Sequence, residues 1–246
     1  MSAAFWITWY DLPAAGRETY LAWLHESHLP RLLERPGYLW AAHYAAEERP
    51  VRNAKKDGVS RRYPPAGSVP GGHRYVLLVG GESTQVFADP TPGQLHAALP
   101  PPDRDMLAVR AGAASNIMIE HASVAGPDAG RREPGMALSP CIQLGSYVFD
   151  GDEEDMLAWY AQWRLPSMRD IPGCVAVRRL VSVAGWAKHG ILHEFTSSAA
   201  RNEHFVDHER KRHPDKLEWS DRITGQVIHQ PGSPNVAERI WCGLKK

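Results

Sequence analysis

Short apolar runs recur along the chain, separated by amphipathic and polar stretches. FWITWY (Phe5 to Tyr10), YLWAAHYA (Tyr38 to Ala45), RYVLLVG (Arg74 to Gly80) and SNIMIEHASV (Ser115 to Val124) are rich in β-branched and aromatic residues. Bounded by turn-forming residues, they read as four strands. A second set follows: CIQLGSYVF (Cys141 to Phe149), CVAVRRLVSV (Cys174 to Val183), HGILHEFT (His189 to Thr196) and RITGQVIHQ (Arg222 to Gln230). Between the first two strands of each set the period changes from two to about 3.6. Leu21, Leu24, His28 and Leu32 fall on one helical face, as do Leu157, Tyr160, Arg164 and Met168.

These two helical stretches are copies. LAWLHESHLPRLLERPG (Leu21 to Gly37) and LAWYAQWRLPSMRDIPG (Leu157 to Gly173) match at seven of seventeen positions without a gap. Chance would give about one match at average composition, so duplication is the better explanation. Pro30 and Pro166 each remove a helical N–H donor and predict a kink or restart. Pro36-Gly37 and Pro172-Gly173 predict the ends. Further on, QVFAD (Gln85 to Asp89) parallels EHFVD (Glu203 to Asp207), which predicts a second pair of equivalent helices.

Each half therefore reads β-α-β-β-α-β, and the predicted fold is α+β: two tandem ferredoxin-like units. A sheet with helices on one side leaves an apolar face open. Two such faces would cover each other as an α/β barrel within one chain. The first unit is placed at 1–125 and a Gly/Pro-rich linker at 126–140. The second unit, with a C-terminal tail, is placed at 141–246. Residues 47–73 break the symmetry as a long polar insertion, of the kind that serves as a lid or an interface arm.

Composition narrows the function. The chain has 246 residues, 43% apolar and 23% charged, with a formal net charge of zero. No global field would draw it to nucleic acid or anionic lipid, so neither partner is expected. No apolar stretch approaches the roughly 20 residues of a membrane span. The opening MSAAFWITWYD lacks a basic region followed by a long apolar run. Cys141, Cys174 and Cys242 are widely spaced, and reduced thiols in a cytoplasmic setting are the simplest expectation. There is no Walker loop, no GxGxxG after a strand and no GxSxG elbow.

The pattern of an aromatic strand followed by W-L-x-x-x-H-x-P-x-L-L-x-x-P-G-Y is carried by Trp23, His28, Pro30, Leu32, Leu33, Pro36, Gly37 and Tyr38. It resembles the EthD-like branch of the dimeric α/β-barrel superfamily. Val86 to Asp89, followed by Pro90, fits the same resemblance. The match is close around the first helix and holds in outline over both halves. It implies a small ligand between sheet and helices. Relatives include cofactor-free monooxygenases, isomerases, polyketide cyclases, haem enzymes of the chlorite dismutase type and proteins without known activity. The expected function is thus a cofactor-free enzyme acting on a small aromatic or carbonyl compound, by isomerase, cyclase, lyase or monooxygenase chemistry. The alternatives are a haem protein, for which twelve histidines offer ligands, and a non-catalytic small-ligand module. Pairing within one chain removes the need for a homodimer without forbidding one.

His28 is the sharpest catalytic candidate: an imidazole on the buried stripe, able to exchange a proton near neutral pH. The alternative is a histidine bonded to a carbonyl that Pro30 leaves unpaired. His25, one turn earlier, is a further catalytic candidate. HxxH without a third ligand makes a weak metal site, and no metal is expected. Arg164 stands where His28 would be in the second copy. It would meet either an anionic ligand or a neighbouring carboxylate. One of His43 and Tyr44 must face the cleft by strand alternation, and Tyr44 is the candidate partner of the acid/base. Trp9, Trp40, His43, Tyr160 and His193 are expected to line ligand space, with Tyr147 and Arg178 in corresponding parts of the second half. His204 and His208 lie beside the charged run HERKRHPDK, which reads as a solvated helix face.

Overall fold

In the computed structural model the described residues are 4–46, 61–133, 136–206, 208 and 213–245. The first half runs β1 (Ala4–Asp11), α1 (Arg17–Trp23), α2 (Leu29–Leu33), β2 (Tyr38–Ala46), β3 (Tyr75–Gly81), α3 (Pro92–Ala97), α4 (Pro101–Ala108) and β4 (Ala111–Ala125). The second runs β5 (Cys141–Phe149), α5 (Glu153–Trp159), β6 (Cys174–Ala184), β7 (His189–Phe195), α6 (Ser198–Ala200), α7 (Leu217–Gly225), β8 (Val227–His229) and β9 (Asn235–Leu244).

The strands hydrogen-bond in the order β7-β6-β4-β1-β3-β2-β9-β5, and β5 returns to β7. Eight strands thus close into an antiparallel barrel, which leaves no unpaired edge in the ring. Closure depends on two long strands. β4 pairs with β1 through its first part and with β6 through its second. β9 bridges β5 and β2 in the same way.

Strand alternation sorts the apolar side chains into three layers. Phe5, Ile7 and Trp9 of β1 meet Tyr44, Leu78, Met118, Leu144, Leu180 and Leu192 inside the barrel. The other parity of β1, Ala4, Trp6 and Tyr10, packs outward on Tyr20, Leu24, Leu29 and Leu33. In the second half Tyr147, Val177 and Phe195 meet Met156, Trp159, Met168 and Ile223. Each of these large side chains contributes about 1.5–3 kcal/mol on burial.

The two prolines act as expected, through a specific device. Leu24–His28 and Tyr160–Arg164 are π-turns. The N–H groups of Leu29 and Leu165 reach back five residues, to the Leu24 and Tyr160 carbonyls. The wider turn accommodates the proline that follows, and the chain restarts as α2 in the first copy and as a 3₁₀ segment (Pro166–Asp170) in the second. It also shifts the buried face by one residue. Met156 is buried in place of Leu157, which is exposed. Gly37 and Gly173 close the two segments at φ 78° and 80°, a conformation favouring glycine.

Several expectations change. Arg222–Gly225, read as strand, ends helix α7. The strand role there falls to the three residues of β8 and to β9, which had been read as a tail. The linker is not merely a polar connection, because Leu138 and Ser139 are buried and Leu138 joins the barrel core. Of the insertion, 47–60 lies outside the described residues. Its described part touches both halves: the Arg62 carbonyl accepts from the His229 N–H and the Arg62 guanidinium lies 2.7 Å from Asp150, while Gly72 N–H donates to the Gly112 carbonyl. The parallel between Asp89 and Asp207 falls partly outside the described residues. Phe87 and Phe205 are both buried.

Candidate functional site

Cross-strand register builds the first-half site. Tyr10 stands opposite Tyr75, and His43 opposite Leu77, so Tyr10, Tyr75 and His43 share the helix-facing side. The Tyr10 hydroxyl lies 2.8 Å from His43 Nε2, and His43 Nδ1 lies 2.7 Å from His25 Nε2. The π-turn turns His25 inward to complete this row, with its ring stacked on Trp241 at 5.5 Å. Tyr10 and His43 are fully buried. Burial therefore drives the Tyr10 hydroxyl well above its ordinary pKa and the His43 imidazole well below its own. His25 is lowered to about 4, also by burial.

One helical turn on, His28 stacks on Trp23 at 4.8 Å and lies 6.4 Å from the His96 ring. Its pKa is lowered to about 3, by burial first and then by the positive charge of Arg110. His96 is lowered to about 4 for the same two reasons. His28 is therefore held as a neutral imidazole near neutral pH. Among the described residues it makes no hydrogen bond to a carbonyl.

Arg110 is the group that sequence reasoning missed. It lies at the junction of α4 and β4, where no periodicity marks it. Its guanidinium covers the Tyr10 ring at 4.5 Å, and its Nε donates to the Tyr20 hydroxyl at 2.6 Å. Its Nη2 is buried without a hydrogen-bond partner, as is Nε1 of Trp6, whose ring lies 5.6 Å from that of His96. Such donors are expensive to leave unmet. The outer wall is fixed by Asp103, which accepts from Trp23 Nε1 at 2.7 Å and Arg31 at 2.9 Å.

The structure brings His25 and His43 into contact, sets His28 one turn away beside His96, and places the other candidates elsewhere. Tyr44 takes the opposite parity to His43 and points into the barrel, where its hydroxyl donates to the Ser139 carbonyl at 2.8 Å. Trp9 and Trp40 also lie inside the barrel, not in the cleft. The Trp40 ring fills the space over Gly80, where a Cβ would lie 2.0 Å from it. Tyr160, Arg164 and His193 belong to the second half. Tyr160 meets the Tyr147 hydroxyl at 2.7 Å. Arg164 contacts His208 Nε2 at 2.9 Å and covers the Phe205 ring. His193 packs on Phe205 at 4.8 Å. Arg178 faces the barrel side, binding Glu194 and Glu120. His208 is buried, contrary to the solvated face expected for its run. Among the described residues no three His, Cys, Asp or Glu side chains gather as metal ligands, and no helix is long and apolar enough to cross a membrane.

Comparison with solved structures places this architecture. The fold is similar to that of an anthrone oxidase-like protein, with a TM-score of 0.65 and 9% identity over 100% of this chain and 96% of that one. A protein from Fusobacterium nucleatum provisionally assigned as a monooxygenase gives 0.56 and 9%, over 98% and 94%. Another, provisionally assigned as a chlorite dismutase, gives 0.50 and 12%, over 98% and 96%. No family model matches the chain, and no curated protein does. At these identities the likeness is one of fold alone, a closed eight-stranded antiparallel barrel with helices packed outside it.

Proposed function

We propose that the chain is a cofactor-free enzyme that forms an enolate or phenolate from a small aromatic carbonyl compound in the helix–sheet space of its first half. The observation that carries this reading is the unmet Arg110 Nη2 donor beside the neutral imidazoles of His28 and His96. Negative charge developing on a substrate oxygen would be held by the guanidinium, and by Trp6 Nε1 if the substrate spans both. His28 takes the proton from the adjacent carbon, and the C–H electron pair moves into the enolate. Arg110 is a leading reason that His28 resists protonation. An anion on Arg110 cancels that repulsion, so proton affinity rises as the reaction proceeds. The row His25–His43–Tyr10 supports the floor of the site and replaces Tyr44 in the part first expected of it.

The strand orders β4-β1-β3-β2 and β9-β5-β7-β6 and the helix repeat support two tandem ferredoxin-like units, at 1–125 and 141–246. The motif around His28 supports an EthD-like origin. The fold neighbours named for oxidation of anthrone and for monooxygenation support an enolisable aromatic ketone as substrate, with dioxygen as the later oxidant.

Anthrone is the first probe. Hydrogen–deuterium exchange at its acidic carbon and oxygen uptake should both be accelerated. His28→Ala and Arg110→Met should each lower the exchange rate about 100-fold. Exchange that proceeds equally fast in both variants would end the acid/base assignment.

The haem reading fares less well on packing. His193 is the buried imidazole such a reading would use, but Phe205 lies 4.8 Å from its ring and Phe195 6.3 Å away. Two phenyl rings thus pack against this imidazole and leave little room beside it for a haem. Titration with hemin should give no saturable Soret shift. A stoichiometric shift would reinstate the haem protein.

A further inference from the structure

The second half contains a buried cationic centre of its own. Register places Tyr147 opposite His189, as Tyr10 stands opposite Tyr75. Arg179 stands opposite Ile191, as His43 stands opposite Leu77. The row of the first half is thereby replaced by Tyr147, Arg179 and His189, all at most 5% exposed.

The partners of this group do not balance its charge. Arg179 covers the Tyr160 ring at 5.0 Å, and its Nη1 lies 3.5 Å from His121 Nδ1. Its Nε is buried with no hydrogen-bond partner, and no carboxylate among the described residues pairs with it. Both ring nitrogens of His189 are also buried and unbonded. The nearest carboxylate, Glu153, lies 3.7 Å from His189 Nε2, and Lys188 holds it at 2.5 Å. Glu153 and Lys188 are half-exposed, so the centre lies one side chain beneath the surface. Burial and the charge of Arg179 hold His189 at about 4, neutral in the absence of an anion.

An uncompensated buried guanidinium is costly, whereas a carboxylate can meet its planar fork with two parallel bonds. The Tyr160 ring lies against the guanidinium at 5.0 Å and the Tyr147 ring lies 5.4 Å from that of His189, so the surroundings of the centre are aromatic. We propose that the second half binds a small aromatic carboxylate, with Arg179 as its anchor and His189 as a second polar contact. This site is separate from the one at Arg110, and neither assignment depends on the other.

The test uses the whole chain and the imidazole NMR signals of His189 and His28, with benzoate as probe and acetate and inorganic phosphate as comparisons. Benzoate should shift the His189 signal saturably, acetate should do so more weakly, and phosphate should not. Arg179→Met should abolish the shift while keeping the far-UV circular dichroism of the parent. Should that variant not fold, Arg179→Lys keeps the charge but loses the fork, and should weaken binding about tenfold. Arg110→Met should leave the His189 response intact. The proposal is overturned if benzoate gives no saturable shift at His189, as for a centre satisfied by water. It is equally overturned if either Arg179 variant that folds binds as tightly as the parent. A shift confined to His28 would overturn it while leaving the first-half reading in place.

Discussion

Glu194→Ala is expected to destabilise the fold by about 3–5 kcal/mol, read as a fall in the urea midpoint. Glu194 is fully buried at one end of the barrel. Its carboxylate accepts from Arg178 Nε at 3.0 Å, from Arg132 Nη2 at 2.9 Å, and from both the N–H and the hydroxyl of Ser139. Arg178 is itself buried and shared with Glu120 at 2.7 Å. Removing Glu194 leaves the Arg178 Nε unmet inside the protein, with Glu120 still on Nη1, and frees the linker at Ser139. Ser139 also receives the Tyr44 hydroxyl on its carbonyl, so the damage would spread into the barrel core. Arg132 is partly exposed and can rehydrate, which places the penalty mainly on Arg178. Glu194→Gln keeps the shape and loses the charge, and should fall between the two. A loss under about 1 kcal/mol in Glu194→Ala would mean that the network does not hold the barrel end.

The second large effect is acid unfolding well above the carboxylate range. His28, His43 and His193 are buried, and each resists protonation in the folded state, with His28 lowered to about 3. In the unfolded chain each takes up a proton near the ordinary value of about 6.5. Below that pH the unfolded state binds more protons, so stability is fully present above 6.5 and is lost as pH falls toward the folded values. Each such histidine contributes a slope that approaches about 1.4 kcal/mol per pH unit below 6.5. For His28, lowered to about 3, that amounts to about 2 kcal/mol between pH 6.5 and 5, and His43 and His193 act in the same direction. The urea midpoint measured from pH 8 to pH 4 should therefore drop steeply below 6.5. His43→Gln should remove about one proton from the slope. A midpoint unchanged down to pH 5 would show that these imidazoles charge freely in the folded protein.

Much of the architecture is legible in the sequence because strand alternation is a local signal. Seven of the eight expected strands lie where the apolar runs place them, within a few residues. The eighth was misplaced because Arg222 to Gln230 carries an apolar pattern that both a helix end and a short strand can satisfy. β9 reads as a tail because only its first three residues, Asn235 to Ala237, are buried. Its burial comes from pairing with β2 and β5, which are distant in sequence. The proline positions announced an interruption, but the π-turn, and with it the inward turn of His25, depends on how the helix packs on β2.

The site divides along the same line. The sequence by itself determined most of the strand runs and the helix carrying His25 and His28, because each is written in neighbouring residues. Only the tertiary structure decided that His43 faces the helix while Tyr44 faces the barrel. A strand pattern fixes two faces but does not say which one a helix will cover. Only the tertiary structure brought Arg110 to His28 and Arg179 to His189. Burial and nearby charge set the proton affinity of an imidazole, and both come from residues that are remote along the chain and adjacent in space.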